Sequence, residues 1–397
     1  MEPVAGLDGV DGVDGVAVGA FAAPRTTDEV AAALADAATQ GGSVVVQGAG
    51  TKQTWGLPPH ECDLLLDLSR LDQVVEHAAG DLIVTAQAGT PLAVLQEHVA
   101  RAGQRLLVDE MVPGSTVGGV LATNASGPRR LVAGTMRDLL IGVTFVRADG
   151  VVARAGGKVV KNVAGYDVGK LLVGSYGTLA VVTDATFRLH PAPPASRWLT
   201  AHVASPADAL RLVLSVLHAQ VVPAALDVSF SAAHGSLTLL LEGREAGVDQ
   251  RAEAAAALLP GASAADVAPE GWAGYPWDVR VSGDDRAVAL KLTTRISGLA
   301  DVLAATVGLP VRGSAGAGVL YAALPGEDPA WVSATVQRLR RVCTAHGGSV
   351  VIVDAPAEIK RAVDVWGRVP ALDLMRRVKD EFDPDHRLAP GRFVGGI

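Results

Sequence analysis

The stretch PGSTVGGVLATNASG, residues 113–127, decides how this chain is read. It holds two adjacent glycines, four hydroxyl residues and one asparagine, and no charge. A backbone without Cβ atoms approaches another surface closely, and its N–H groups can then point at an anion. Two readings follow: a tightly packed turn and helix inside a core, or one wall of a diphosphate cradle. Ser115 or Thr116 is placed to cap a short helix carrying Gly118 and Gly119. Two glycines in the first turns of a helix cost up to ~1 kcal/mol each relative to Ala. That cost makes sense where something must lie close against them.

Working outward, Thr26 followed by Glu29 is a capping box. Val30, Ala33, Leu34, Ala37 and Ala38 share one helical face, Gly41-Gly42 ends the helix, and residues 43–46 read as a short buried strand. That strand runs into a second glycine loop, Gly48-Ala49-Gly50-Thr51-Lys52-Gln53. The dinucleotide pattern G-x-G-x-x-G fails there, because Gln53 stands where the third glycine belongs, and Gly157-Lys158-Val159 is no Walker loop. Strands are predicted at 64–68, 74–77 and 82–87, and a helix after Thr90 with Pro91 in its first position. Beyond the central stretch, Asp149-Gly150 turns a hairpin of 140–147 and 151–155. Residues 158–174 are a glycine-spaced run ending in an amphipathic helix. Strands follow at 180–183 and up to His190, and Pro191-Ala192-Pro193-Pro194 marks a domain boundary. From Trp198 on, strand, helix, strand, strand, helix is followed by a second similar set, which predicts two split βαβ units on one sheet. Residues 371–382 close the helical pattern.

A chain of 397 residues holds two or three domains. Its net charge of -8, without a basic block, argues against nucleic acid as a partner. Cys62 and Cys343 alone make no zinc ribbon, iron–sulfur cluster or disulfide framework, and they point to a reducing cytosol. No apolar run is long enough to span a membrane, and the N-terminus is no signal peptide. The Asp-Gly-Val repeats before about residue 20 read as a mobile tail. None of the nine histidines forms an H-x-x-x-H or H-E-x-x-H pair, so no metal is expected.

Three stretches, in this order, resemble the FAD-binding domain of the vanillyl-alcohol-oxidase, or PCMH, type. They are Gln47-Gly48-Ala49-Gly50-Thr51, then residues 113–127, then Lys161-Asn162-Val163-Ala164-Gly165-Tyr166-Asp167 through Gly174-Ser175-Tyr176-Gly177-Thr178-Leu179. The tail from Phe382-Asp383-Pro384 to Pro390-Gly391-Arg392-Phe393 is similar to the endings of 2-hydroxy-acid dehydrogenases of this group. The whole chain resembles the FAD-binding E-type subunits of bacterial glycolate oxidases. The resemblance implies an α+β fold: a tail at 1–20, a PCMH-type domain of two α+β subdomains at 21–193, a smaller α+β cap with an antiparallel sheet at 194–360, and a C-terminal helix and tail at 361–397 returning to the FAD domain.

It also implies non-covalent FAD. Gly48, Ala49, Gly50, Thr51, Lys52 and Gln53 would form one side of the diphosphate cradle. Pro113, Gly114, Ser115 and Thr116 would form the other, with Gly118 and Gly119 allowing close approach. Asn124, Ser126 and Gly127 would sit at the flavin ring or ribityl chain. Arg137 and Asp138 are either a flavin contact or a local pair that fixes the loop. Gly177, Ala180, Val181 and Val182 would meet the adenosine end. The implied function is that of an FAD-binding subunit in a glycolate oxidase complex. There, oxidation of glycolate, a small 2-hydroxy acid, to glyoxylate would pass electrons to a partner iron–sulfur subunit, beside a D-type flavin subunit. The implied place is the cytoplasm, with any membrane association through partners. Two alternatives stand: a stand-alone FAD oxidase or dehydrogenase of another alcohol or hydroxy acid, and a non-catalytic assembly subunit. Catalytic relatives carry a histidine pair in the cap and a Glu-His-Gly stretch near the end. Neither occurs here, His346-Gly347-Gly348 lacks the Glu, and no catalytic residue is assigned.

Overall fold

The computed structural model describes residues 12–158, 166–231, 234–278 and 286–397. The chain folds as two units. One comprises the residues up to Ala125 together with Thr135–Ala192 and Arg368–Ile397; the other comprises Ser126–Gly134 and Pro193–Gly367. The run Lys161 to Gly165, part of the third motif stretch, lies outside the described residues.

In chain order the elements are β1 (Val18–Ala22), α1 (Thr27–Gln40), β2 (Val44–Gln47), β3 (Cys62–Asp67), β4 (Val74–Ala78), β5 (Ile83–Gln87), α2 (Leu92–Ala100), β6 (Gln104–Arg105), α3 (Val117–Thr123), α4 (Arg130–Ala133, in the second unit), α5 (Met136–Leu139), β7 (Leu140–Val146), β8 (Val152–Gly156), α6 (Gly169–Leu172), β9 (Val181–Arg188) and β10 (His190–Pro191). In the first unit they build two α+β layers. One has a three-stranded parallel sheet, β1-β3-β2, and the other a five-stranded antiparallel sheet, β4-β5-β9-β7-β8.

The local signals explain the ends of α1. Thr26 accepts from the Glu29 N–H, and Gly41 closes the helix with φ 67°. Only half of the capping box forms, because the Glu29 carboxylate accepts from the Arg25 N–H instead. Val30, Leu34 and Ala37 pack with Val44, Leu66, Val146 and Val181. Each fully buried aliphatic side chain of this kind contributes roughly 1.5–3 kcal/mol. Three expectations shift. The N-terminal segment is ordered earlier than Phe21, since Val18 pairs with Cys62 in β1–β3. Pro91 is itself the cap of α2. The strands expected at 180–183 and up to His190 are largely one continuous β9.

The C-terminal helix Leu372–Phe382 and the tail belong to this first unit. Lys379 and Asp383 are fully buried and 2.7 Å apart. Lys379 Nζ also donates to the carbonyls of Thr178 at 2.7 Å and Leu388 at 3.1 Å. Asp383 accepts from the Leu388 N–H at 2.7 Å. Leu388 then bridges Val44 in parallel, extending the sheet at the edge of β2.

The second unit runs β11 (Ala195–Val203), α7 (Pro206–Leu217), β12 (Ala225–Ser231), β13 (His234–Gly243), α8 (Glu245–Leu258) and β14 (Ser263–Ala265). It then continues with β15 (Val288–Thr293), the helix Leu299–Ala305, β16 (Val311–Ser314), β17 (Val319–Leu324), the helix Pro329–Ala345 and β18 (Val350–Asp354). One eight-stranded sheet results, in the order β14-β11-β13-β12-β16-β17-β15-β18. The order is that of two split βαβ units placed back to back and joined by the antiparallel pair β12–β16, where Asp227 faces Ser314. Strand alternation puts Leu290, Leu292, Leu320 and Ala322 on one face and Lys291, Tyr321 and Arg312 on the other.

Breaking the buried pair strands a charge. Lys379→Met is expected to lower unfolding stability by about 3–5 kcal/mol, while Lys379→Met with Asp383→Leu recovers most of that loss. Urea titration of the three proteins measures both; equal losses in the single and double variants would refute a coupled pair.

Candidate cofactor cleft

Past β2 the chain turns through Gly48 to Gln53. Gly50 takes φ 70°, and the Gln53 N–H closes the turn on the Gly50 carbonyl at 3.1 Å. Gly48 is glycine for a steric reason: a Cβ there would lie 2.3 Å from Thr116 Oγ1. Thr116 is the cap of α3 and accepts from the Gly119 N–H at 3.2 Å. The first glycine loop therefore lies directly against the cap of the second. Lys52 ties them together, donating to Ser115 Oγ at 2.5 Å and to Thr51 Oγ1 at 3.0 Å.

These loops, with Tyr176, Gly177, Ala180, Val181, Val182 and Arg392, border a cleft of about 820 Å³, open mouth included. Among the described residues lining it, the ionisable ones are Lys52, Tyr176 and Arg392, with no carboxylate and no histidine. Lys52 is only 8 % exposed. Burial lowers its pKa to about 8, against the opposing pull of Glu110. The Arg392 guanidinium donates to the backbone carbonyl of Gln53 and, at 3.4 Å, to its side-chain oxygen. Tyr176 is held with φ 57°, its ring 5.5 Å from that of Phe393.

The two glycine stretches differ in what their N–H groups do. In the second, Gly114 donates to Glu110, Ser115 to Val112, Val117 to Thr90, Gly118 to Ala88 and Gly119 to Thr116. In the first, none of the described residues accepts from the backbone N–H groups of Gly48, Ala49, Gly50, Thr51 or Lys52. Unused donors therefore come from one loop, and the other shapes the wall.

Of the residues singled out from the sequence, Gly48 through Gln53, Thr116, Gly118, Gly119, Gly177, Ala180, Val181 and Val182 line the cleft. Pro113, Gly114 and Ser115 do not line it, and Ser115 stands behind, holding Lys52. Gly118 also lets α3 pack against the turn just past β5, since a Cβ there would come within 2.9 Å of the Ala88 Cβ. Asn124 is the left-handed C-cap of α3, with φ 49°. Ser126 and Gly127 belong to the second unit. Arg137 and Asp138 lie in α5, where Asp138 caps the helix by accepting from the Thr135 N–H at 2.8 Å. The Arg137 carbonyl accepts from Lys170. Neither Arg137 nor Asp138 is among the cleft-lining residues. Trp55, Tyr176 and Arg392 line the cleft and were not singled out as site residues. Arg392 had a signal in the Pro-Gly-Arg-Phe tail, but nothing in its neighbours shows that the tail reaches Gln53.

The sequence model of a family described as an FAD binding domain matches residues 18–156. Glycolate oxidase subunit GlcD of Bacillus subtilis is 35% identical over 52% of this chain and 44% of its own length. Glycolate oxidase subunit GlcE of Escherichia coli is 37% identical over 38% of this chain and 44% of its own. D-lactate dehydrogenase of Archaeoglobus fulgidus is 35% identical over 51% of this chain and 46% of its own. These matches span less than half the length of each relative. Among solved structures, an alkyldihydroxyacetonephosphate synthase superposes with TM-score 0.71 at 18% identity, over 94% of this chain and 77% of that one, which shows the fold. Residues 18–156 thus match the sequence model of an FAD binding domain, and this match supports FAD as the cofactor.

Proposed function

We propose that the cleft of the first unit binds FAD non-covalently, and that the chain acts as an FAD-linked oxidoreductase subunit on a small 2-hydroxy acid. Glycolate is the favoured substrate, with glyoxylate the product and electrons leaving through a partner iron–sulfur subunit beside a D-type flavin subunit. The observation that carries this reading is the run of five unused N–H groups from Gly48 to Lys52, in a cleft with two cationic side chains and no carboxylate. Such a loop suits a diphosphate.

Each residue has a distinct task in this reading. The loop N–H groups hold the diphosphate oxygens, and Lys52 adds the charge. Arg392 keeps the Gln53 end of the loop in place. Val46, Leu68, Leu121 and Leu172 give an apolar wall that excludes water. Bound FAD supplies hydride acceptance, a chemistry that no side chain offers. Neither histidine nor carboxylate is among the cleft's described lining residues to take the substrate's hydroxyl proton. That supports a subunit role over stand-alone turnover, as do relatives named as subunits of glycolate oxidase. Cys62 and Cys343 are buried and too few to hold an iron–sulfur cluster, so any such cluster in this reading belongs to a partner.

Two experiments follow. The purified chain is expected to take up FAD and show its visible absorbance, and anaerobic glycolate is expected to bleach it only when the partner subunits are present. No flavin uptake refutes the cofactor cleft; bleaching by the chain alone favours stand-alone catalysis. Second, a diphosphate prefers the ammonium form of Lys52. FAD affinity should be flat below pH about 8 and fall as the pH rises above it, where the free protein must first regain that proton. Lys52→Met should weaken binding by about tenfold, or ~1.4 kcal/mol, and remove the slope. Wild-type affinity unchanged up to about pH 10 would take Lys52 away from the diphosphate.

A further inference from the structure

We propose that Arg392 is a positioning residue for the cofactor, and that residues 390–393 are a clasp whose opening sets how fast FAD leaves. The proposal rests on the cofactor cleft described above. Past Leu388 the chain turns through Ala389 and Gly391, at φ 44° and 83°, and runs along the segment from Gln53 to His60. That segment directly continues the donor loop. The Leu57 N–H donates to the Arg392 carbonyl at 3.0 Å, and the His60 N–H to the Pro390 carbonyl at 2.8 Å. The Arg392 guanidinium in turn donates to both the backbone and the side-chain oxygen of Gln53. One residue, 3 % exposed, thus holds both ends of the turn from Gln53 to Leu57. Inside that turn is Trp55, which lines the cleft and donates its N–H to the Lys52 carbonyl at 3.1 Å. The two segments pack closely. A Cβ on Gly391 would lie 2.3 Å from His60 Nε2. One on Gly56 would lie 3.0 Å from the Arg392 carbonyl oxygen and 3.3 Å from Tyr176 Cδ1.

The donor loop takes its shape from its ends. Among the described residues, nothing accepts from its N–H groups. Lys52 is held on Ser115, and the next residue, Gln53, on Arg392. The tail itself is anchored unevenly. Up to Leu388 it is fixed by the buried Lys379–Asp383 pair and the bridge to Val44. From Pro390 to Phe393 its grip on the cleft segments consists of hydrogen bonds and the ring contact of Phe393 with Tyr176, 5.5 Å apart at 36°. Segments held in this way open locally while the core stays folded. Opening releases Gln53 and Trp55, and the loop then loses the shape that aims its donors at a diphosphate. The coupling is reciprocal: a clasp that holds FAD is in turn held shut by it. Arginine suits the position because its planar fork serves two oxygens of one residue, whereas an ammonium is a point charge.

Two measurements on the whole chain test the clasp. In the first, hydrogen exchange is followed with and without FAD. FAD should slow exchange in peptides covering 53–60 and 389–397 by about tenfold, and leave the helix Leu372–Phe382 unchanged. In the second, FAD-loaded protein is diluted and the return of flavin fluorescence gives the release rate. Arg392→Met and Gly391→Ala should each release FAD about tenfold faster, with Arg392→Lys between them and wild type. Gly391→Ala alters no charge; it strains the left-handed turn and crowds His60. The flavin-free variants should melt close to wild type. The exchange measurement needs no variant, so it decides even where a substitution prevents folding. Exchange at 53–60 that is insensitive to FAD would overturn the clasp and leave the cofactor cleft standing. So would release from Gly391→Ala at the wild-type rate, which with fast release from Arg392→Met would make Arg392 a direct charge contact. A wild-type chain that takes up no FAD would overturn the cleft and the clasp together.

Discussion

Lys379 is a buried ammonium with three acceptors: the Asp383 carboxylate, the Thr178 carbonyl and the Leu388 carbonyl. A charge in such a place is tolerated only with a partner and satisfied hydrogen bonds. Here those partners come from separate parts of the chain. Thr178 belongs to the loop that carries Tyr176 and Gly177 into the cleft. Leu388 belongs to the strand-like tail beside β2, which runs on to Arg392. A single side chain therefore ties two cleft-lining segments to one point.

Around the cleft, polar groups divide by role. The stretch from Gly114 to Gly119 bonds largely to its own surroundings and is a rigid wall. The loop from Gly48 to Lys52 keeps its N–H groups available. Gly48 is the joint between them, because only a residue without Cβ fits under the Thr116 hydroxyl. The site thus has a donor side and a shaping side, with Lys52 hydrogen-bonded across both.

Much of this was legible in the residues. The Thr26 cap, the Gly41 stop, the hairpin at Asp149-Gly150 and the doubled strand–helix–strand pattern after Trp198 are local signals, and each appears in place. The first glycine loop was legible for the same reason, since it follows a short apolar strand. The central stretch was harder. Its glycines suggested close approach to a cofactor, yet Gly118 also meets Ala88 just past β5. A glycine shows that something lies close, but not what. Nor did the sequence show that Ser126 and Gly127, next to Ala125, belong to a different unit.

By itself the sequence determined many of the local elements, because caps, stops and strand alternation act over a few residues, while the cofactor class came from the resemblance that the three motif stretches carry together. Only the tertiary structure decided which donors stay unused among the described residues, that Lys52 is buried beside Ser115, and that Arg392 comes from the far end of the chain to Gln53. Hydrogen-bond partners and burial depend on residues brought together from distant positions, and no local pattern encodes them.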